Sequence, residues 1–136
     1  KIRAAFELTP DSPVFELPTT TERISLYRTY GIARFILNDL LVELNIYQES
    51  TPKLGYENHL FLPFNDATNG NETYGGGRYI DLEFPPENSE TIIIDFNKSY
   101  NPYCAYNQNY SCPIPPKENR INQEILAGIK AFSLKH

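Results

Sequence analysis

The residues that could do chemistry are concentrated in two stretches without strand periodicity, residues 65–77 and 97–120. The second stretch exceeds the ~12–15 residues usual for a structureless loop in a compact domain, so we expect it to be ordered against the body of the protein. Long ordered loops often carry binding or catalytic groups. The first hypothesis is therefore a small-molecule pocket where the two loops meet. Its candidate ligand-binding residues are Asp66, Glu72, Tyr74, Arg78, Tyr100, Asn101, Tyr103 and Tyr106.

Arg78 directly follows three glycines and is the candidate for recognising charge on a ligand. An arginine can bind a carboxylate or a phosphate through two parallel hydrogen bonds. It can equally form an internal ion pair with Asp66, Glu72 or Asp95, and we favour this internal pair. The tyrosines could stack on a flat ligand, or they could hold the long loop against the body with the ring buried and the hydroxyl in water. The second role is favoured unless a cleft lies beside them.

Residues 65–72 place oxygen-bearing side chains at Asp66, Thr68 and Glu72, which raises the possibility of a calcium loop. The segment lacks the glycine and glutamate positions of an EF-hand, so turn formation is the favoured interpretation. The glycines at 75–77 favour close packing of the backbone against a neighbouring strand or loop. We predict no metal and no cofactor.

Cys104 and Cys112 are the two cysteines of the chain, and both lie in the longer loop. In an oxidising compartment a disulfide between them would stabilise the fold by ~2–3 kcal/mol. In a reducing compartment they would be free thiols or, less favourably, part of a metal or catalytic site. The residues alone leave these alternatives open. His59 lies in a strand-like run, and we interpret it as an ordinary strand histidine.

Two other functional hypotheses compete with ligand binding. The first is an enzyme, with Cys104 as the candidate nucleophile, although the sequence contains no recognised hydrolase motif. Its candidate acid and base residues are Asp66, Glu72, Asp95 and Glu118. The other is a structural or protein-interaction domain whose long loop is only a lid, which predicts a flat aromatic patch in place of a pocket. Whether the protein is an enzyme is left open.

The composition limits the partners. The net charge of −5 opposes nucleic-acid binding, which needs a basic surface. No apolar run approaches the ~20 residues that span a bilayer, which predicts no membrane insertion of this segment. The length of 136 residues fits one domain. We expect residues 1–136 to form that domain, as the C-terminal major part of a longer chain of unknown oligomeric state.

Segments with alternating, β-branched or aromatic residues predict strands. They span residues 2–8, 14–17, 23–37, 41–48, 58–64, 78–84 and 91–96. Gly31 is the expected bulge or bend of the third strand, and the strand at 91–96, almost continuously apolar, is expected at the centre of the sheet. Residues 124–134 are interpreted as a bent strand in preference to a short helix. The pattern predicts an all-β fold: a small antiparallel β-barrel or barrel-like sandwich with long ordered loops.

Two blocks, FLPFNDATNGNETYGGGRYIDL (61–82) and DFNKSYNPYCAYNQNYSCPIPPKENR (95–120), resemble signature blocks of a bacterial and archaeal family, domain of unknown function 1684. The likeness is specific for these blocks and loose before residue 61. It implies no activity, cofactor or catalytic residue. Members that resemble this chain often look like exported lipoproteins, which favours an extracytoplasmic location, periplasmic or lipid-anchored, and a disulfide. Other members look cytoplasmic. The best functional expectation is a small-ligand-binding module of an exported bacterial protein.

Overall fold

The described residues of the protein form seven β-strands in one sheet. A computed structural model describes residues 1–51, 54–55, 57–70, 75–106, 112–125 and 127. The strands are β1 (Ile2–Leu8), β2 (Phe15–Pro18), β3 (Ile24–Leu37), β4 (Leu40–Glu49), β5 (His59–Phe64), β6 (Arg78–Glu83) and β7 (Thr91–Ile94). Each strand begins and ends within two residues of its expected bounds. The prediction of an all-β fold is confirmed.

The strands pair antiparallel in the order β6-β5-β4-β3-β1-β7, and β2 pairs with the first part of β3. The sheet curls into a half-barrel. Because β7 lies at one end of this order, the expectation that it is central is wrong. Its apolar run was misleading because Ile92 and Ile94 are buried in the core, whereas Ile93 between them is 43% exposed.

A bulge in β3 changes which face of the sheet its side chains occupy. The pairing Thr29↔Tyr47 is followed by Gly31↔Ile46, so Tyr30 is an extra residue in β3. Side chains alternate between the two faces of a strand, and one extra residue reverses that alternation. Odd-numbered residues of β3 before the bulge therefore share a face with even-numbered residues after it. The bulge expected at Gly31 is confirmed.

The main hydrophobic core lies on one face of the curled sheet. Burying each large aliphatic or aromatic side chain stabilises the fold by about 1.5–3 kcal/mol. The core side chains from the strands are Ala4, Phe6, Ala33, Phe35, Val42, Leu44, Ile46, Leu60, Leu62, Phe64, Ile80, Ile92 and Ile94. Phe96, Ile121 and Ile125, which follow the last strand, complete this core.

The opposite face of the sheet carries a second, aromatic cluster. Tyr27, Tyr47, Phe61 and Tyr79, which we call the aromatic face, pack together with Leu17. Tyr47, Phe61 and Tyr79 each lie beside a core residue in their strands, so the alternation of side chains places them on the opposite face of the sheet. Burial raises the pKa of Tyr47 to about 12. The sheet is thus covered on both faces in this region.

Asn119 joins β4 and β5 where their backbones do not pair. The two strands pair at Tyr47↔Phe61. Beyond that point the Asn119 side chain donates to the carbonyl oxygens of Asn45 and Pro63, both at 2.8 Å, and accepts from the Asn45 N–H at 2.8 Å. Since proline has no N–H to donate, the Asn119 amide supplies the hydrogen bonds that the strand cannot.

The end of the chain is described only in part. Within residues 124–134, Glu124, Ile125 and Ala127 are described, and none of these three belongs to a strand. The rest of the bent strand expected there lies outside the described residues. In the part of the chain that the structure describes, no helix has the length and apolar composition needed to cross a membrane.

Candidate functional site

A long loop crosses the aromatic face. The described parts of this covering loop are residues 99–106 and 112–115. At one end, Tyr100 exchanges two backbone hydrogen bonds with Tyr79 of β6, each 2.9 Å. At the other, the Ile114 N–H donates to the carbonyl of Pro18, at the end of β2, over 2.9 Å. Both described parts of the loop are therefore bound to the body of the protein, as its length predicted.

A disulfide between Cys104 and Cys112 closes the covering loop on itself. Both cysteines are buried. Thr20 connects them to the turn after β2: its N–H donates to the Cys112 carbonyl at 2.9 Å, and its hydroxyl accepts from the Cys112 N–H at 3.1 Å. Of the alternatives that the sequence left open, the structure has the disulfide. The bonded Cys104 offers no thiolate to a substrate.

A cavity of about 410 Å³ lies between the aromatic face and the covering loop. This volume is within the range usual for small-molecule sites. Of the lining residues that the structure describes, the strands contribute five and the covering loop contributes five. They are Tyr27, His59, Phe61, Tyr79, Asp81, Tyr100, Asn101, Pro102, Cys112 and Pro113.

Four aromatic rings form a continuous series along the cavity. The centroids of Phe61 and Tyr79 are 4.6 Å apart, with the ring planes at 72°. Tyr79 and Tyr100 are 5.7 Å apart at 85°, and Tyr27 and Phe61 are 5.8 Å apart at 33°. The Tyr79 hydroxyl donates to the Pro113 carbonyl, which holds the loop over the rings. Nearly perpendicular neighbours form corners, so the rings build a recess in place of a flat stack.

One carboxylate, that of Asp81, organises the polar groups of the cavity. Its Oδ1 accepts from the Tyr100 hydroxyl at 2.8 Å and lies 2.9 Å from His59 Nε2. Burial, followed by the hydrogen bond to Asp81 and the charge of Asp81, raises the pKa of Tyr100. Burial and the negative charge of Glu49 raise the pKa of Tyr27. Both phenols are therefore neutral hydrogen-bonding groups at physiological pH.

Arg78 lies on the core side of β6 and is fully buried. Its guanidinium donates to the carbonyls of Ile125 and Ala127 at 2.8 and 2.6 Å and to the Ser99 hydroxyl at 3.3 Å. It forms an ion pair with Asp66 at 3.3 Å, and neither side chain is exposed. Burial lowers the pKa of Arg78, and the negative charge of Asp66 opposes this effect. The internal ion pair favoured from the sequence is confirmed for Asp66.

Asp66 uses both carboxylate oxygens within the protein. Oδ1 accepts from the Thr68 hydroxyl at 2.7 Å, and Oδ2 accepts from the Ile125 N–H as well as from Arg78. An anionic ligand would have to displace Asp66 to reach the guanidinium. The carboxylate, for its part, could bind calcium only by giving up these partners. Within residues 65–70, the described part of this segment, the Asn69 N–H donates to the Asp66 carbonyl at 3.2 Å, which fits the turn interpretation.

The two long loops do meet, as expected, but at a packed junction. The Asn65 N–H donates to the Asn119 carbonyl at 3.0 Å, and the Ile121 N–H donates to the Asn65 carbonyl at 2.8 Å. Gly77 has φ of +93°, and a Cβ there would lie 2.8 Å from a side-chain carbon of Pro115. Only glycine fits such a position without strain. This supports the close-packing interpretation of the glycine run at Gly77.

The predicted ligand-binding residues are divided between these two places. Tyr100 and Asn101 line the cavity, and the Tyr106 hydroxyl accepts from the Asn101 side chain at 3.1 Å. Asp66 and Arg78 lie on the core side and do not line the cavity. Glu72, Tyr74 and the side chain of Tyr103 lie outside the described residues.

Several cavity residues were not selected from the sequence. Phe61, Tyr79 and Asp81 were recognised only as strand residues, and His59 was interpreted as an ordinary strand histidine. A signal was present, because His59 and Phe61 alternate with core residues in β5, as do Tyr79 and Asp81 in β6. Alternation places each pair on one face. The alternation within these strands does not indicate that the long loop covers that face.

The acid and base candidates for an enzyme are dispersed. Asp95 accepts from the Asn97 N–H at 3.1 Å and caps the 3-10 turn Phe96–Lys98. Glu118 is exposed in the turn Lys117–Asn119. Asp66 is enclosed with Arg78, and Glu72 lies outside the described residues. The described candidates therefore do not form one acid–base centre.

Comparison with known proteins adds a family and a related structure. The family described as protein of unknown function (DUF1684) matches residues 1–130. The solution NMR structure of an uncharacterized protein of Haloarcula marismortui is 31% identical, with a TM-score of 0.78. The match covers 98% of this chain and 71% of that protein. No curated protein matches the chain.

Proposed function

We propose that this chain, which belongs to the family of proteins of unknown function DUF1684, is a small-ligand-binding module. Its binding site is the cavity beneath the covering loop. The observation that carries the proposal is the cavity of about 410 Å³ between aromatic rings and a few polar groups. Binding sites for small molecules combine apolar walls with a small number of placed polar groups. This cavity has both.

The construction of the walls supports the proposal. The covering loop is held by the disulfide and by backbone hydrogen bonds at both ends. A wall that is already ordered loses little conformational entropy when a ligand binds. If the loop were only a lid on the sheet, we would expect the rings to be packed flat against it, and the cavity would be absent. The dispersed acid and base candidates give an enzymatic role less support.

The proposal includes a location outside the cytoplasm. Disulfides persist in oxidising compartments and are rare in the cytosol. The Cys104–Cys112 bond shapes the loop that encloses the cavity, so ligand binding and an oxidising compartment belong together. The measurement is the intact mass after thiol alkylation of protein isolated from the native host. We expect no label until a reductant is added, and free labelling of both cysteines would contradict an extracytoplasmic location.

Ligand binding is tested with a panel of small neutral, cationic and anionic compounds by protein NMR. We expect hits to shift the amide signals of Phe61, Tyr79 and Tyr100. Tyr100→Ala should weaken these hits, because this half-exposed ring is one wall of the cavity. The control is Ile93→Ala, a similarly exposed side chain on β7 that does not line the cavity. A panel with no hit at these residues would count against the proposal.

A further inference from the structure

We infer that the ligand of the cavity is a small organic cation, of the size of a trimethylammonium or other alkylammonium group. The inference rests on the proposed binding function and specifies the ligand class. It combines three features of one site: aromatic walls that meet at corners, a carboxylate with one oxygen that has no described partner, and the absence of lysine and arginine among the described lining residues.

The aromatic walls have the arrangement that a cation requires. Aromatic faces attract cations through the ring quadrupole, and cages of several rings bind quaternary ammonium groups. In this cavity Phe61 and Tyr79 are nearly perpendicular, as are Tyr79 and Tyr100. A compact cation at such a corner lies against more than one ring at once. Burial raises the pKa of Tyr100 further above its ordinary value, which already exceeds physiological pH, so the ring carries its hydroxyl proton there.

Asp81 supplies the negative charge. His59 and Tyr100 both contact its Oδ1, at 2.9 and 2.8 Å. Its Oδ2 makes no hydrogen bond or ion pair with any residue that the structure describes. The side chain is 49% exposed, so this carboxylate can approach a cation in the cavity without first losing a protein partner.

Other ligand classes fit the lining less well. An anion would meet a carboxylate, and the part of the lining that the structure describes contains no lysine or arginine to bind it. A sugar needs several directional donors and acceptors, and the Tyr79 and Tyr100 hydroxyls, which already donate to Pro113 and Asp81, can only accept from it. A cation held by ring faces needs few directional partners. The net charge of −5 also attracts cations to the protein.

The test compares three ligands of nearly one shape that differ in charge. Choline is the cation, 3,3-dimethylbutan-1-ol is the neutral analogue, and 3,3-dimethylbutanoate is the anion. Calorimetry and NMR titration are made on the disulfide-bonded protein and on two variants. Asp81→Asn removes the cavity carboxylate, and Asp39→Asn makes the same change at the β3–β4 turn, outside the cavity lining.

We expect choline to bind about tenfold more tightly than the neutral analogue, and the anion to bind least. Asp81→Asn should remove most of that preference, and Asp39→Asn should keep it. Equal or tighter binding of the neutral analogue, with shifts at Phe61 and Tyr79, would overturn the cation inference while the proposed binding function stands. Absence of choline binding also overturns the inference. The proposed function fails only if the whole compound panel leaves the cavity signals unmoved.

Discussion

The two faces of strand β6 use charged residues in opposite ways. On the core side, Arg78 and Asp66 are both fully buried and bind one another and nearby backbone groups. On the aromatic side, Asp81 lies at a cavity and is half exposed. A charge enclosed in protein contributes to the fold and is not available to a ligand. A charge left partly in water can exchange solvent for a ligand. This difference distinguishes the structural ion pair from the candidate binding site.

The largest effect is expected from removing the buried ion pair between Arg78 and Asp66. Arg78→Met should lower the free energy of unfolding by about 3–5 kcal/mol, because it leaves the Asp66 carboxylate buried without its cation. Urea denaturation followed by circular dichroism measures the change. The control is Arg34→Met, which removes exposed ion pairs to Glu7 and Glu43. Exposed pairs contribute little, so the control should change stability far less. Equal losses in the two variants would contradict the assignment of Arg78 as a structural centre.

The second-largest effect is expected from loss of the disulfide in the loop that covers the aromatic face. The double variant Cys104→Ser and Cys112→Ser should lose about 2–3 kcal/mol of stability, because a short closed loop is released in the unfolded chain. Reductant should have the same effect on the wild-type protein. Ligand affinity should fall as well, since Cys112 and Pro113 line the cavity. If the variant kept full affinity, the covering loop would not need its disulfide to enclose the cavity.

High pH should weaken the aromatic face. Tyr47 has its pKa raised to about 12 by burial, whereas the unfolded tyrosine ionises near 10. Above pH ~10 the unfolded state loses a proton that the folded state keeps, so stability falls as pH rises and levels off near pH 12. The loss from Tyr47 is about 2–3 kcal/mol over this window.

Unfolding free energies measured between pH 9 and pH 12, in about half-unit steps, test this expectation. Tyr47→Phe should reduce the slope by about one proton, because phenylalanine has no ionisable group. Tyr30→Phe is the matched control, since Tyr30 stacks on Phe84 away from the aromatic face. An unchanged slope in Tyr47→Phe would show that the Tyr47 phenol ionises equally in both states.

The smallest expected effect on stability comes from the cavity itself. Tyr100→Phe removes the hydrogen bond from the phenol to Asp81 and should cost roughly 1 kcal/mol or less. Its ring still packs against Tyr79, so the aromatic wall is kept. Cation binding should persist in this variant and weaken in Tyr100→Ala. A loss of several kcal/mol in Tyr100→Phe would place Tyr100 with Arg78 as a structural residue.

The sequence predicted the strands well because each has its own alternation or apolar run. It also indicated the bulge at Gly31 and the internal ion pair of Arg78, because a glycine in a strand and a cation beside several acids have few alternatives. It did not indicate that β7 lies at the end of the sheet. Strand order depends on which backbones pair over long distances in the chain, and an apolar run carries no such information.

The sequence likewise indicated some residues of the candidate site and not others. Tyr100, Asn101 and the two cysteines were selected from the long loop, where their types are unusual. His59, Phe61 and Asp81 were missed, because in the sequence they look like the outward residues of ordinary strands. Only the covering loop, bound to β6 through Tyr79 and to β2 through Pro18, turns those outward positions into a cavity.

By itself, then, the sequence determined the strands, the bulge and the inventory of reactive side chains, because these follow from local spacing and backbone preference. The tertiary structure decided which of them meet. One extra residue in β3 sets Tyr27 on the aromatic face, and the path of the loop after β7 sets Tyr100 beside Asp81. Both depend on contacts between residues far apart in the chain, which no local pattern encodes.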